Sequence, residues 1–195
     1  MTQTFATPLI YRIVSIKSIA DQVLVVAFAS LLIAALAQLR IPLQPVPITG
    51  QTLGVFLVAL TLGARLGGLA IGLYLLEAAL GLPVLAGTSG GLSVLTGATA
   101  GYLFGFVLAG VVLGALADRG WTQSPWQTAL AMLIGTMLIY IPGLLWLSIA
   151  LPSLGGKLER LLGAGLYPFL LGDAIKAALV IVLLPSAWRF LRTSK

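Results

Sequence analysis

The sequence predicts an all-α integral membrane protein: a bundle of six membrane-spanning helices with both termini cytoplasmic and two outer loops capping a pocket. Three observations carry that expectation. Apolar residues make up 59% of the 195-residue chain and charged residues only 8%, against roughly 25% charged in soluble domains. The mean hydropathy is +1.11, and the apolar residues fall into six runs. The basic residues sit at the ends of those runs, mostly on one side.

The elements follow in order. Residues 1–17, interrupted by Pro8 and Arg12, are too short to span. They have neither the apolar core nor the small-residue cleavage site of a secretory signal, and read as a cytoplasmic lead-in. The first span covers residues 19–39. Its Ser30 and Ala34, four apart, make a narrow flat stripe suited to docking a membrane helix, from this chain or from a partner. Spans two and three, 51–64 and 69–80, are separated by Gly63-Ala64-Arg65-Leu66-Gly67-Gly68. At about 1.5 Å per residue both are marginal against a core of about 30 Å, and so are tilted, lengthened by their flanks or sunk in the bundle. Glu77, near the outer end of the third, has three readings: neutral, paired with Arg40, or close to a pocket.

The fourth span, 98–117, carries Gly97, Gly101, Gly105 and Ala109 at four-residue spacing, with Gly110 and Gly114, a pattern that lets helices approach closely. Tyr102 near its outer end either offers a hydroxyl to a pocket or anchors the helix at the interface. The fifth span covers 126–151 and the sixth 161–188, making one membrane domain over residues 1–195.

Orientation follows from Lys and Arg. With both termini inside, Arg12, Lys17, Arg65, Arg119, Arg189, Arg192 and Lys195 are cytoplasmic, and Arg40, Lys157 and Arg160 are outside. Two unusual loops then fall outside. The segment Ile41 to Gly50 interleaves three prolines with mostly apolar residues, which works against helix. The segment Gly81 to Leu92 is uncharged and Gly-rich. Irregular apolar backbone at membrane depth is tolerated only where protein buries it or a cavity wets it, so both loops are expected to fold over the bundle mouth as lids.

Beneath them lie Asp173 and Lys176. Three residues apart on a helix, they share a face and set a carboxylate beside an ammonium. Such charges are costly in a span, and two uses fit them: a self-neutralising pair that fixes packing, or a ligand site. Intramembrane charges favour the second, in a pocket that is mostly apolar with a few fixed polar groups.

Other function classes are excluded or ranked low. The net charge of +6 does not mark a nucleic-acid face, because the basic residues are scattered at span ends. The chain has no Cys and no His, which removes disulfides, Cys/His metal sites and His acid–base chemistry. No metal ligands or catalytic residues are assigned. No G-x-x-x-x-G-K-[ST] occurs, so the chain does not hydrolyse nucleotide through a P-loop. A small intramembrane enzyme using Asp173 and Lys176 as acid and base ranks low, since no nucleophile with a His or second carboxylate beside it is visible.

Several co-ordered blocks resemble the BioY family, the biotin-binding substrate-capture subunits (S components) of energy-coupling-factor (ECF) transporters. They are Val46-Pro47-Ile48-Thr49 with Gln51-Thr52-Leu53, and Gly63-x-Arg65-x-Gly67. Next come Gly81-Leu82-Pro83-Val84-x-Ala86-Gly87-x-Ser89-Gly90-Gly91 and Thr99-x-Gly101-Tyr102-x-x-Gly105-Phe106. Pro168 with Asp173-x-x-Lys176 completes the set. The resemblance implies a six-helix bundle whose outward pocket is capped by loops one and three. It implies biotin as transported ligand, no cofactor, and a multi-pass place among the lipids of the bacterial inner membrane. The implied partners are a transmembrane coupling subunit and two cytosolic ATPase subunits, in keeping with the missing P-loop. Two blocks depart from the family. Gly97-Ala98-Thr99-Ala100-Gly101-Tyr102 stands for the usual Gly-Pro-Thr-Gly-Gly-Tyr, and Ser30-x-x-x-Ala34 for the coupling motif Ala-x-x-x-Ala.

Biotin has a ureido ring, an apolar thiophane and valeryl chain, and a carboxylate. Against that chemistry Lys176 suits the carboxylate or the ureido carbonyl, while Asp173 suits the ureido N–H groups and steadies Lys176. Which end of biotin meets which charge is left open. Tyr102, Gln51, Thr52, Ser89 and the Gly90-Gly91 backbone are candidates for the remaining hydrogen bonds. Tyr140 and Trp146 are candidates for the apolar wall, or for packing alone. The same scaffold tuned to another vitamin is the alternative.

Overall fold

The computed structural model describes residues 7–193; residues 1–6 of the expected lead-in and Lys195 lie outside them. A single turn, α1 (Ile10–Ile13), precedes α2 (Ile19–Ala37). A capping box starts α2: Ser18 Oγ accepts from the Asp21 N–H at 3.1 Å, and the Asp21 carboxylate accepts from the Ser18 N–H at 2.8 Å. The first Pro-rich loop then closes on itself. Its ends pair as antiparallel strands β1 (Arg40–Ile41) and β2 (Ile48–Thr49), with Arg40 opposite Thr49 and Ile41 opposite Ile48.

The next element, α3 (Gln51–Ala79), is one helical stretch by hydrogen bonding but not one rod. Gly63 in its middle takes φ +80° and ψ −179°, a region open essentially to glycine. There the chain doubles back. Gln51 Nε2 meets the Tyr74 hydroxyl at 2.7 Å, and Gly67 packs on the backbone of Ala59. The arms on either side of Gly63 are therefore antiparallel neighbours. Reversal exposes the first N–H groups of the second arm, and the carboxylate of Asp118 accepts from the Ala64 N–H at 3.2 Å. The sequence reading separates these spans by residues 63–68; the structure turns at Gly63 alone and gives 64–68 to the second arm.

After α4 (Leu92–Leu95) come α5 (Ala100–Asp118) and α6 (Pro125–Ala150), then the short helices α7 (Pro152–Gly155) and α8 (Leu158–Gly165), and finally α9 (Leu170–Thr193). Among the described residues, five helical stretches are long and apolar enough to cross a membrane: 19–37, 51–79, 100–118, 125–150 and 158–193. The count is five rather than the expected six because spans two and three merge into α3. The last stretch is interrupted as well. Leu166 leaves helical geometry at φ −135°, ψ −59°, and Tyr167–Phe169 form a tight turn around Pro168. Asp173 and Lys176 consequently lie in the opening turns of α9, not within an unbroken 161–188 helix.

α3 and α5 form the centre, with α2 against α3, α6 against α5, and α9 along α6 and α3. The glycines of α5 set these approaches. Gly101 and Gly105 face the α6 backbone at Pro142 and Ile139, and Gly114 faces Gly63 and Ala64, leaving no room for a Cβ. The end away from the strands is stapled: Trp188 Nε1 donates to Thr122 Oγ1 at 2.9 Å, and the Arg192 guanidinium lies 5.9 Å from the Trp188 ring centre.

Gly63→Ala puts a side chain into a forbidden backbone region and against Asp118 and Pro8, whereas a Cβ added at Gly72 would meet nothing within 4 Å. Gly63→Ala is expected to destabilise the purified protein by about 2 kcal/mol or more. Gly72→Ala is expected to be neutral or slightly stabilising. Thermal unfolding in detergent checks both; equal melting temperatures would overturn the assignment of the reversal to Gly63.

Candidate ligand site

A cavity of about 230 Å³ opens at the end of the bundle where α3 and α9 begin. Its deepest wall is apolar, made by Leu103 and Phe106 of α5 and Ile139 of α6. Tyr102, Tyr140 and Phe169 form an aromatic belt above, with ring centres 6.0 Å apart for the two tyrosines and 6.3 Å for Tyr140 and Phe169. Val46, Pro47 and Thr49 of the first loop, and Leu85, Ala86 and Ser89 of the second, complete the lining. Both loops thus contribute lining.

One side carries the charge. Lys176 Nζ donates to Asp173 Oδ1 at 3.0 Å and to Thr52 Oγ1 at 2.8 Å. The Tyr140 hydroxyl donates to Asp173 Oδ2 at 2.5 Å. The Lys176 and Asp173 side chains are only 14% and 13% exposed. It is the one ion pair among the described residues, and it sits where unpaired charge is expensive. An ammonium has three donors and a carboxylate about four acceptor directions. The network therefore leaves Lys176 one N–H and Asp173 two acceptor positions for a further partner. Thr52 comes from α3, Tyr140 from α6 and the pair from α9, so three helices converge here.

A second polar chain runs through Gln51, one residue before Thr52. Thr49 Oγ1 donates to Gln51 Oε1 at 3.0 Å, Gln51 Nε2 donates to the Tyr74 hydroxyl, and that hydroxyl donates to the Val84 carbonyl at 3.2 Å. It ties both loops to both arms of α3. Tyr102 donates to the Gly165 carbonyl at 2.8 Å, holding the end of α8, and Ser89 Oγ donates to the Ala86 carbonyl at 2.9 Å. Each hydroxyl oxygen keeps acceptor capacity toward the cavity.

Seven of the ten residues expected at the site line the cavity: Gln51, Thr52, Ser89, Tyr102, Tyr140, Asp173 and Lys176. Trp146, Gly90 and Gly91 stand behind the wall. Trp146 Nε1 donates to the Gly97 carbonyl at 2.8 Å and steadies the approach to Thr99. The Gly91 N–H donates to the Ala78 carbonyl at 2.7 Å, and Gly90 packs on the backbone of Leu82. Sequence reasoning did not assign Thr99, Leu103, Phe106 or Phe169, all of which line the cavity. The signal was present: 99, 102, 103 and 106 repeat at helical spacing around Tyr102, and Phe169 follows Pro168.

The small-residue stripe of α2 turns inward. Ser30 is fully buried, its hydroxyl donating to Glu77 Oε2 at 2.5 Å, and Ala34 packs against the same core. Of the two uses open to this stripe, the structure carries docking within the chain; Ser30 presents nothing to a second protein. Glu77 is likewise accounted for by Ser30 rather than by Arg40.

Residues 4–193 match the family model described as the BioY family. The biotin transporter BioY2 of Lactococcus lactis subsp. cremoris (strain MG1363) is 39% identical over 80% of this chain and 84% of its own. The biotin transporter BioY of Thermotoga maritima is 38% identical over 76% of this chain and 84% of its own. A solved crystal structure, that of the S-component for biotin from an ECF-type ABC transporter, matches with a TM-score of 0.76 at 28% identity. It covers 89% of this chain and 95% of that one. These relatives are transporters, not enzymes, and the acid–base alternative for Asp173 and Lys176 falls with that finding. The extent of the family match and the shared fold lead to one conclusion: the chain belongs to the BioY family.

Proposed function

We propose that the chain is the biotin-capturing S component of an energy-coupling-factor transporter, a single membrane domain of the bacterial cell membrane. In this reading the two arms of α3 count as separate crossings, giving six, with both termini cytoplasmic and the cavity facing outward. The observation that carries it is the Tyr140–Asp173–Lys176–Thr52 network beside an otherwise apolar cavity. Biotin enters as cargo, not as a cofactor.

The chain's own groups do three things. Lys176 offers its remaining N–H to biotin's carboxylate or ureido carbonyl, and Asp173 offers its remaining lone pairs to the ureido N–H groups. The aromatic belt and Phe106 receive the thiophane and valeryl chain. The loops around Val46–Thr49 and Leu85–Ser89 exclude water, which strengthens each charged contact. Movement inward is driven by a transmembrane coupling subunit and two cytosolic ATPase subunits. With Ser30 turned inward, the coupling subunit would meet the opposite face of α2, where Leu24, Phe28 and Leu32 are exposed.

Asp173→Asn or Lys176→Ala leaves the other charge without its partner, a loss of about 3–5 kcal/mol in a dry site. Each is expected to weaken biotin binding tenfold or more, about 1.4 kcal/mol at the least, in protein that still inserts. Calorimetry on purified protein with biotin, thiamine and riboflavin is the measurement. Undiminished biotin binding by both variants would sink the site, and tighter binding of another vitamin would move the substrate. A separate expectation concerns the loops. Single cysteines at Thr49 and Ser89, in a chain without native cysteine, should be shielded by biotin from an impermeant thiol reagent; labelling indifferent to biotin counts against lids.

A further inference from the structure

The second loop does not rest over the cavity unaided. Gln38, the residue that caps the C-terminus of α2, lies outside the cavity yet grips this loop from both sides. Its Nε2 donates to the Leu85 carbonyl at 3.2 Å, and its Oε1 accepts from the Thr88 N–H at 3.1 Å. The same Nε2 is anchored to the helix by the Ala34 carbonyl at 3.0 Å. One planar amide thus holds a carbonyl and an N–H on opposite limbs of the 85–89 turn. Across that turn the Leu85 N–H donates to the Ser89 carbonyl at 3.0 Å. Leu85 is 2% exposed and lines the cavity with Ala86 and Ser89.

Two further features show that the turn needs holding. Thr88 sits at φ +57°, an unfavourable region for a β-branched residue, and Gln38 bonds its N–H. The Arg40 guanidinium lies against Gly87 at φ +72°, where a Cβ would collide with it. The grip is also releasable. Gln38 is exposed, so water competes for its bonds.

We propose that Gln38 is a positioning residue, the latch that keeps the 85–89 turn closed over the cavity and so sets how long a bound ligand stays. For the lifetime of bound biotin this rests on the biotin-capture reading; for closure of the turn it does not. Two hydrogen bonds, one exposed and one half-buried, correspond to a population shift of about fivefold to tenfold. Gln38→Ala should therefore release biotin about fivefold to tenfold faster without slowing association. A fold defect would slow association and lower the melting temperature, both of which should stay unchanged.

The deciding measurement needs no ligand. Cysteines placed singly at Leu103 and Val94, both on the cavity wall, are labelled by a polar thiol reagent in ligand-free protein, once with Gln38 intact and once with Gln38→Ala. Where opening precedes labelling, the rate reports the open population, and Gln38→Ala should raise it by a similar factor at both sites. Unchanged labelling at both overturns the latch, whatever biotin does. Faster labelling together with no biotin binding by either form upholds the latch and overturns the biotin reading.

Discussion

The contact between Asp173 and Lys176 is what the remainder of the site has to accommodate. Each charge alone would be expensive in this environment, and a pair is tolerated only with close geometry and its remaining valences satisfied. The structure meets both conditions by bringing three helices to one point. Thr52 takes one ammonium hydrogen, Tyr140 takes one carboxylate oxygen, and the pair holds itself together at 3.0 Å. The break at Leu166–Phe169 adds to this. By restarting the helix at Leu170 it places Asp173 in the first turn of α9, where backbone N–H groups favour a carboxylate.

The same requirement shapes α3. For Thr52 to reach Lys176, the first arm must begin at the mouth of the cavity; for Tyr74 to reach Gln51, the second arm must return there. A reversal at Gly63, covered by Asp118, gives both without a loop at the far end. α5 can then lie close to this bend because Gly114 has no side chain to obstruct Ala64.

Much of this was legible in the sequence, for physical reasons particular to each element. Apolar runs reveal spans because bilayer depth imposes their length, and a lone Asp–Lys pair three apart marks a candidate site because charge is rare there. The apolar, Pro- and Gly-rich loops stood out as irregular backbone with a use, and both do line the cavity, through the buried Val46 and Leu85 among others. What was not legible depended on contacts distant in sequence. Nothing local distinguishes Gly63 as the turning point from Gly67 or Gly68; Asp118, far along the chain, does. Whether Ser30 docks a helix of this chain or of a partner was open in the sequence, because its partner Glu77 lies 47 residues later. Trp146 was open between wall and packing alone, and the distant Gly97 carbonyl that holds its indole N–H decides for packing.

The two ends of the bundle are held by different kinds of contact, and that difference says where motion belongs. At the far end Trp188 and Thr122 meet in a buried hydrogen bond, with Arg192 over the indole and Asp118 covering the bend of α3. Beneath the cavity, Leu113, Ile71 and Leu66 are almost wholly buried around glycine-mediated helix contacts. Close-packed interiors of this sort do not open by small adjustments. At the cavity end the second loop is fastened largely by backbone and amide hydrogen bonds, some exposed, across turns at Gly81, Gly87 and Gly91 that take positive φ. Local opening is drawn from regions of few apolar contacts and exposed hydrogen bonds. The second loop is therefore held less tightly than the helices around the charged network below it.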